Sequence, residues 1–254
     1  MTENNCNDLS VIDGVSGTAY YTPSTNTLTL KNATINPSSN ATGITNGMNN
    51  LKIQFVGTNT IKSKGSSSGI QLTNDATFMG TGSVTITSPN YAGINIPNAI
   101  TLIIQGGVKV TAQGYTYGVT GNSTGKITIS GASTKLTANG TTQASYYNCK
   151  TTMNDGLAIT SPSGAKFSSS GTVVSSTGTV LYNVNVVISK PAVTRGDVNG
   201  DGSVNISDVT ALIDYLLSGN SSGINLSAAD CNQDGSVNIS DVTSLIDYLL
   251  SGHW

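Results

Sequence analysis

Short alternating segments separated by glycine-rich turns fill the first three quarters of the chain. Apolar and polar positions alternate in segments such as 51–55, 82–86 and 107–110. Such alternation over four to eight residues is typical of a β-strand with one buried face. These segments lack the three-to-four-residue apolar spacing of an amphipathic helix. The pattern therefore predicts an all-β region.

A period of about 25 residues organises these segments. A glycine followed by an apolar residue recurs at intervals of 26, 24 and 25 residues, at Gly43, Gly69, Gly93 and Gly118. An asparagine precedes the next alternating segment in each period, at Asn49, Asn74, Asn98 and Asn122. Each period contains three short strands, and periods of this length are typical of solenoid proteins.

This repeat predicts a parallel β-helix. Parallel strands need a long connection, and a coiled chain in which each strand pairs with its copy one turn later supplies that connection without helices. We expect about seven coils stacked about 4.8 Å apart. The asparagines are expected at one bend, where Asn tolerates left-handed backbone and bonds to the next coil. An antiparallel β-sandwich is the alternative.

The charges divide the chain into two predicted domains. Charged residues make up only 9% of the 254 residues. Residues 1–190 carry ten lysines and five acidic residues, whereas residues 191–254 carry one arginine and eight aspartates. The net charges of +5 and −7 indicate domains with different roles. No apolar run is long enough to span a membrane, and no basic patch with interleaved aromatic residues indicates nucleic-acid binding.

The β-region offers few residues for catalysis. Asp75 and Asp155 are expected three coils apart, whereas glycoside hydrolysis needs two carboxyl groups beside one bond. The single histidine, His253, and the single arginine, Arg195, lie outside this region. We therefore predict no catalytic residue. A polysaccharide lyase or a glycoside hydrolase is kept as an alternative.

Tyrosines near the recurring pairs of glycine and an apolar residue are the candidate carbohydrate-binding residues. They are Tyr91, Tyr115, Tyr117, Tyr146 and Tyr147. On an outward face, such rings can stack on sugars while Asn, Thr and Lys bond the sugar hydroxyls. The alternative is that they are half-buried turn residues. The lysines could face an acidic polysaccharide or protect sheet edges from aggregation.

The strand and turn segments resemble bacterial extracellular β-helix modules, including a family described as carbohydrate-binding. The matching segments are 28–30, 51–53, 80–86 and 117–119. The resemblance implies a β-helix that binds polysaccharide. A structural or adhesive rod is the alternative.

The C-terminal region contains a duplicated calcium-loop pattern. Residues 197–219 and 230–252 are identical at 20 of 23 positions. Each copy places oxygen-bearing residues at loop positions 1, 3, 5, 7, 9 and 12 and glycine (Gly202 or Gly235) at position 6, the spacing of a twelve-residue calcium loop. The predicted ligands of the first loop are Asp197, Asn199, Asp201, the Ser203 carbonyl, Asn205 through water, and Asp208. Those of the second loop are Asp230, Asn232, Asp234, the Ser236 carbonyl, Asn238 through water, and Asp241. We predict two bound Ca²⁺ ions; an acidic turn without metal is the alternative.

An amphipathic helix is predicted after each loop. In each helix, apolar residues are spaced alternately three and one residues apart, which places them on one side. They are Val209, Leu212, Ile213, Leu216 and Leu217 in the first helix and Val242, Leu245, Ile246, Leu249 and Leu250 in the second. Ser207 and Ser240 are predicted N-caps, and Gly219 and Gly252 are predicted C-terminal stops. We expect no full helix before either loop.

The loop-then-helix duplicate, with Asp at loop position 12, resembles the dockerin family over residues 195–252. The resemblance implies a secreted bacterial protein that docks onto a cohesin module of a scaffold or cell surface, as in cellulosome-like assemblies. The positions that correspond to the family's partner contacts are Ile206, Ser207, Asp214 and Tyr215, with Ile239, Ser240, Asp247 and Tyr248 in the second copy. The alternative is a calcium-stapled cap without a recognition role.

Localisation follows from the same resemblance. We expect an extracellular or cell-surface protein whose signal peptide has been removed. Asn205 and Asn238 begin glycosylation sequons on the calcium loops, so a bacterial source fits better than a eukaryotic one.

Overall fold

The computed structural model describes residues 6–97 and 99–254. The chain divides into two compact units, Met1–Pro191 and Ala192–Trp254. The first unit is built of strands and the second of short helices and loops.

Two 3-10 turns, Leu9–Val11 and Pro23–Thr25, precede the coils of the first unit. Its strands, in chain order, are β1 (Val15–Thr22), β2 (Thr27–Ile35), β3 (Ile44–Asn46), β4 (Leu51–Val56), β5 (Thr58–Lys62), β6 (Ile70–Leu72), β7 (Ala76–Met79), β8 (Ser83–Ser88), β9 (Ala92–Asn95), β10 (Thr101–Ile104), β11 (Lys109–Gly114), β12 (Tyr117–Thr120), β13 (Lys126–Ile129), β14 (Lys135–Gly140), β15 (Ala144–Tyr147), β16 (Lys150–Met153), β17 (Ala158–Ser161), β18 (Lys166–Phe167), β19 (Val173–Val174) and β20 (Val186–Ser189).

Three strands make one coil, and each strand pairs in parallel with its copy in the next coil. Strands β4, β5 and β6 pair with β7, β8 and β9, respectively, and the pattern continues to β15. The predicted parallel β-helix is therefore confirmed. Among the described residues, the β3-β6-β9-β12-β15 sheet has five strands. The stack thus has about five coils, fewer than the seven expected.

Antiparallel pairs account for the missing coils. At one end, β1 pairs with β2, and at the other β20 pairs with β14 and β17. These strands cover sheet edges that would otherwise expose unpaired backbone groups. The end segments follow no 25-residue period, so counting coils by chain length overestimates their number.

Aromatic and branched side chains stack inside the coils. Phe55 of β4 and Phe78 of β7 are both fully buried, and their rings meet edge to face with centroids 5.6 Å apart. Ile61 pairs in register with Ile86, so like residues lie above one another. Inward and outward positions alternate along β4, β8 and β14, as the sequence pattern predicts.

The recurring glycines permit a close approach of neighbouring coils. A Cβ on Gly118 would lie 2.4 Å from the Asn139 nitrogen and 2.5 Å from the Ser145 carbonyl oxygen. A Cβ on Gly93 would lie 2.7 Å from the Gln113 nitrogen. Since real Cβ contacts are longer, a side chain at these corners would push the coils apart.

The prediction that one asparagine per period forms a left-handed bend and bonds to the next coil is only partly correct. Asn122 has a φ of 46°, but in the first period the left-handed residue is Asn50, with a φ of 52°, rather than Asn49. The amides that bond to the next coil belong to other asparagines: Asn26 Nδ2 donates to the Asn49 carbonyl at 2.8 Å, and Asn46 Nδ2 to the Asn74 carbonyl at 3.0 Å. Asn98 lies outside the described residues.

The second unit contains α1 (Ile206–Ser218), α2 (Leu226–Ala229) and α3 (Ile239–Ser251). Helices α1 and α3 pack against each other, with Leu212 and Leu245 fully buried between the duplicated halves. No full helix directly precedes either loop in this unit, as expected; only the single turn of α2 lies directly before the second loop.

Both long helices end at the predicted glycines but begin differently from the prediction. Gly219 and Gly252 are left-handed C-caps with φ of 70° and 74°. The N-caps are Asn205 and Asn238, not Ser207 and Ser240. Each asparagine side chain accepts a bond from the serine backbone N–H two residues later, at 2.8 Å. In return, the carboxylate of the third helical residue, Asp208 or Asp241, accepts a bond from the backbone N–H of the asparagine, which completes each cap.

Candidate functional site

The first acidic loop folds around its own backbone N–H groups. Asp208 is fully buried and accepts bonds from the Asn199 nitrogen (3.1 Å) and the Asn205 nitrogen (2.9 Å). Asp197 Oδ2 accepts a bond from the Gly202 nitrogen at 3.1 Å, and Gly202 takes a φ of 91°. These bonds join loop position 1 to position 6 and loop position 12 to positions 3 and 9.

The second loop repeats this arrangement. Asp241 is fully buried and accepts bonds from the Asn232 and Asn238 nitrogens at 3.0 and 2.8 Å. Asp230 accepts bonds from the Asp234 and Gly235 nitrogens, both at 3.1 Å. The near-identical sequence thus produces near-identical loop geometry.

The middle positions of both loops form local turns. Asp201 Oδ1 accepts a bond from the Ser203 nitrogen, and Asp234 Oδ1 one from the Ser236 nitrogen, each at 2.9 Å. Among the described residues, no three acidic, histidine or cysteine side chains converge as a metal-holding group. The donor set that the sequence predicts for each loop adds amide and carbonyl oxygens to the three carboxylates.

One carboxylate oxygen of the first loop is in an environment that suits a bound cation. Asp197 Oδ1 is buried and has no hydrogen-bond partner. A buried carboxylate oxygen without a partner is costly unless a cation pairs with it. Together with the all-oxygen donors, this atom fits Ca²⁺, which prefers oxygen ligands.

Each long helix exposes two residues of its predicted one-sided apolar stripe, together with the isoleucine that begins the helix. On α1, Ile206, Ile213 and Leu217 are 68%, 37% and 82% exposed. On α3, the corresponding Ile239, Ile246 and Leu250 are 69%, 38% and 83% exposed. Only Val209 and Leu212, with Val242 and Leu245, are buried. Two short helices that pack on each other cannot bury five apolar side chains each. The number of apolar residues per helix could therefore have indicated the exposed faces from sequence.

The predicted partner residues lie on or near these faces. Ile206 and Ile239 belong to the exposed set, and Ser207, Asp214, Ser240 and Asp247 are exposed beside it. Tyr215 and Tyr248 are half-buried. The two copies differ at this point, because Trp254 stacks on Tyr248.

Three of the predicted sugar-binding tyrosines form a cluster on the solenoid. The Tyr117 and Tyr147 rings are stacked, with centroids 4.9 Å apart, and Tyr91 meets Tyr117 edge to face at 6.1 Å. Tyr117 donates its hydroxyl to Gln143 Oε1 at 2.5 Å. Burial and the neighbouring tyrosines raise the pKa of Tyr117.

Tyr115 and Tyr146 lie apart from this cluster. Tyr115 is 52% exposed, in the turn before β12. Tyr146 is fully buried, packs edge to face against Phe167 at 5.4 Å and hydrogen-bonds Thr151 Oγ1. The prediction that Tyr146 projects outward is therefore wrong, because its ring fills the interior of the last coil.

Asp75 and Asp155 of the β-region accept hydrogen bonds from backbone N–H groups. Asp75 Oδ1 accepts a bond from the Thr101 nitrogen at 2.8 Å, and Asp155 Oδ2 one from the Gly131 nitrogen at 2.6 Å. Each bond joins successive coils. Both carboxylates thus have a structural partner.

Comparison with protein families identifies the C-terminal unit. Residues 195–250 match the family model described as the dockerin type I domain. The dockerin resemblance is thereby confirmed for this unit, and it does not extend to the β-helix. A dockerin implies calcium binding and docking to a cohesin, and dockerin proteins are typically extracellular. Comparisons with curated proteins and with solved structures found no match.

The helices were also compared with the length and hydropathy of membrane spans. Within the described part of the chain, none is long and apolar enough to cross a membrane.

Proposed function

We propose that this chain is a secreted bacterial, non-catalytic protein that binds polysaccharide through its β-helix and attaches to a cohesin-bearing scaffold or surface through its dockerin unit. The observation that carries the proposal is the dockerin match on a unit whose two helices expose matching apolar faces. Cohesin attachment would bring the β-helix to the polysaccharide that its host assembly contacts.

The two exposed faces are the proposed cohesin-docking surfaces. Leu217 and Leu250 are the most exposed apolar residues of the unit, at 82% and 83%. Exposed apolar patches on small domains commonly mark protein contacts. Because the faces carry the same residues, either one can meet the same partner surface after a half-turn of the unit.

Two Ca²⁺ ions are proposed to hold these faces in place. Asp208 and Asp241 are the twelfth loop residues and also lie in the first turns of α1 and α3. A cation in each loop would therefore fix where the following helix begins. The remaining ligands are the oxygen donors predicted at loop positions 1, 3, 5, 7 and 9.

The non-catalytic assignment is supported by the acidic residues of the β-region. Asp75 and Asp155 each accept a backbone hydrogen bond from a neighbouring coil. Glycosidases instead place two carboxyl groups on either side of the reacting bond. Polysaccharide binding by the β-helix is supported by its exposed tyrosine, hydroxyl and amide groups.

Cohesin binding can be tested with the full chain and purified type I cohesins in calcium. We expect calcium-dependent complex formation that is lost in excess chelator. Leu217→Glu or Leu250→Glu alone should leave binding largely intact, because the other face remains. The double variant should abolish binding while retaining calcium-dependent helicity. Full binding by the double variant would rule out these faces as the docking surface.

A further inference from the structure

A groove of about 610 Å³, lined mostly by residues with polar side chains, runs along the β-helix where β5, β8, β11 and β14 end. Its lining includes one equivalent side chain from each of four coils: Lys62, Thr87, Gln113 and Asn139. Parallel pairing places them in one register column. Successive members are therefore about 4.8 Å apart, and the column spans about 14 Å.

The turns after these strands add an aromatic ring and a hydroxyl. Tyr115 and Thr141 both line the groove and are exposed. The Tyr115 nitrogen donates to the Ser88 carbonyl, and the Thr141 nitrogen to the Gly114 carbonyl, each at 3.1 Å. These bonds tie each turn to the preceding coil, so the groove is held in shape without a ligand.

Other groove residues are occupied by internal bonds. Ser88 Oγ donates to the Ser67 carbonyl at 2.7 Å, and Ser63 Oγ donates to the same oxygen at 2.8 Å. The backbone nitrogen of Asn183 donates to the Gly140 carbonyl at 2.6 Å, which fixes the position of this residue but does not engage its side-chain amide. Asn139 Nδ2 donates to Asn185 Oδ1 at 2.9 Å, which leaves the Asn139 amide oxygen for a ligand. The groups left for a ligand are therefore the Lys62 amine, hydroxyls, the Gln113 amide, the Asn139 amide oxygen and the Tyr115 ring.

The tyrosine cluster on the neighbouring face is a weaker site for sugar stacking. Tyr117 and Tyr147 cover one another, at 17° between ring planes, and the edge of Tyr91 meets Tyr117. A sugar needs a free ring face. Tyr115 has no ring partner among the aromatic contacts of the described residues and is 52% exposed.

We infer that this groove binds a uronate-containing polysaccharide lying along the coil axis. One sugar stacks on Tyr115, and a carboxylate pairs with the Lys62 amine. The Gln113 amide and the Asn139 amide oxygen bond hydroxyls of successive sugars. No acidic residue lines the groove, and residues 1–190 carry a net charge of +5. The inference rests on the polysaccharide-binding function proposed above and names its site and its class of glycan.

The test measures binding of the calcium-loaded full chain to polygalacturonate and alginate, with a neutral galactan for comparison, by calorimetry and affinity electrophoresis. Tyr115→Ala and Gln113→Ala should each weaken polyuronate binding about tenfold. Tyr115→Phe should keep it, because the ring remains. Lys62→Gln should weaken binding and reduce its dependence on salt.

Matched variants elsewhere on the β-helix serve as controls. Tyr20→Ala removes a 37% exposed ring from β1, and Lys150→Gln removes an exposed cation from β16. Both should bind as the unmodified chain does. Thermal unfolding of every variant excludes loss of fold as the cause of weaker binding.

The remaining outcomes separate the site from the function. If the groove variants bind polyuronate as the unmodified chain does, the groove is not the binding site, although the β-helix still binds polysaccharide. If the groove variants lose binding to galactan and the unmodified chain binds neither polyuronate, the inference that the ligand is acidic would be wrong. Absence of binding to any glycan in a broad array would overturn both the groove and the proposed function.

Discussion

Tyr248 stacks on Trp254, with ring centroids 4.2 Å apart and planes 11° from parallel. The Arg195 guanidinium carbon lies 4.1 Å from the centroid of the same tryptophan ring. Arg195 Nε also donates to the Cys231 carbonyl at 2.6 Å. Because Arg195 and Trp254 come from opposite ends of the dockerin unit, these contacts join its termini.

Removal of this tryptophan should destabilise the dockerin unit. Trp254→Ala loses one stacked pair and one cation–π contact, together worth about 1–2 kcal/mol. We expect a lower midpoint for loss of helical circular dichroism in calcium. The repeat supplies a matched pair of variants, because Tyr215 occupies the position of Tyr248 without a tryptophan on its ring. Tyr248→Ala should therefore cost more stability than Tyr215→Ala, and equal losses would contradict a stabilising role for the stack.

Chelation should open the dockerin unit and leave the β-helix folded. Cys231 and Cys149 are both fully buried, one in each unit. Without cations, the carboxylates of the loops repel one another, and metal binding contributes most of the folding energy of such small units. In excess EDTA, we expect rapid alkylation of Cys231 and continued protection of Cys149, measured by peptide mass spectrometry. Protection of Cys231 in chelator would show that the unit folds without calcium.

The repeating elements could be predicted from sequence, whereas side chains at the ends of repeats could not. The glycine step at Gly93 and Gly118 and the two acidic loops follow directly from spacing, because each repeats one local geometry. Tyr146 was predicted to face outward because it continues the series of tyrosines near the recurring glycines. In the last coil no further copy covers the core, and the ring of Tyr146 turns inward against Phe167. Similarly, helix periodicity identified α1 but not which of its apolar residues lack a partner, since that depends on the packing of α3.

The corner glycines of the coils should tolerate substitution only where space exists. In Gly118→Ala, the new Cβ would meet backbone atoms at 2.4 and 2.5 Å. We expect a loss of about 1–3 kcal/mol in the unfolding free energy of the β-helix, the range for overpacked sites. Gly47→Ala is the control, because its nearest atom, Thr73 Oγ1, would be 3.9 Å away. Denaturant unfolding followed by tyrosine fluorescence measures both, and equal stability of the two variants would contradict the close approach of coils.

Alkaline pH should destabilise the β-helix partly through Cys149. Burial raises the pKa of this thiol from 9.0 to about 12. Above pH 9 the unfolded chain loses the thiol proton while the folded chain retains it, so the unfolding free energy falls as pH rises towards 12. The slope from this group is at most about 1.4 kcal/mol per pH unit, and its contribution is fully present below pH 9.

Cys149→Ala should therefore flatten the decline of β-helix stability between pH 9 and about 12. Cys231→Ala, which alters the other unit, should leave that slope unchanged. Urea unfolding of the β-helix at a series of pH values gives the comparison. The pKa of the neighbouring Tyr146 is raised by burial and by the Cys149 thiol, so the difference in slope reports the thiol together with its effect on Tyr146. Identical slopes for Cys149→Ala and the unmodified chain would mean that the Cys149 thiol titrates in the folded chain as it does in the unfolded one.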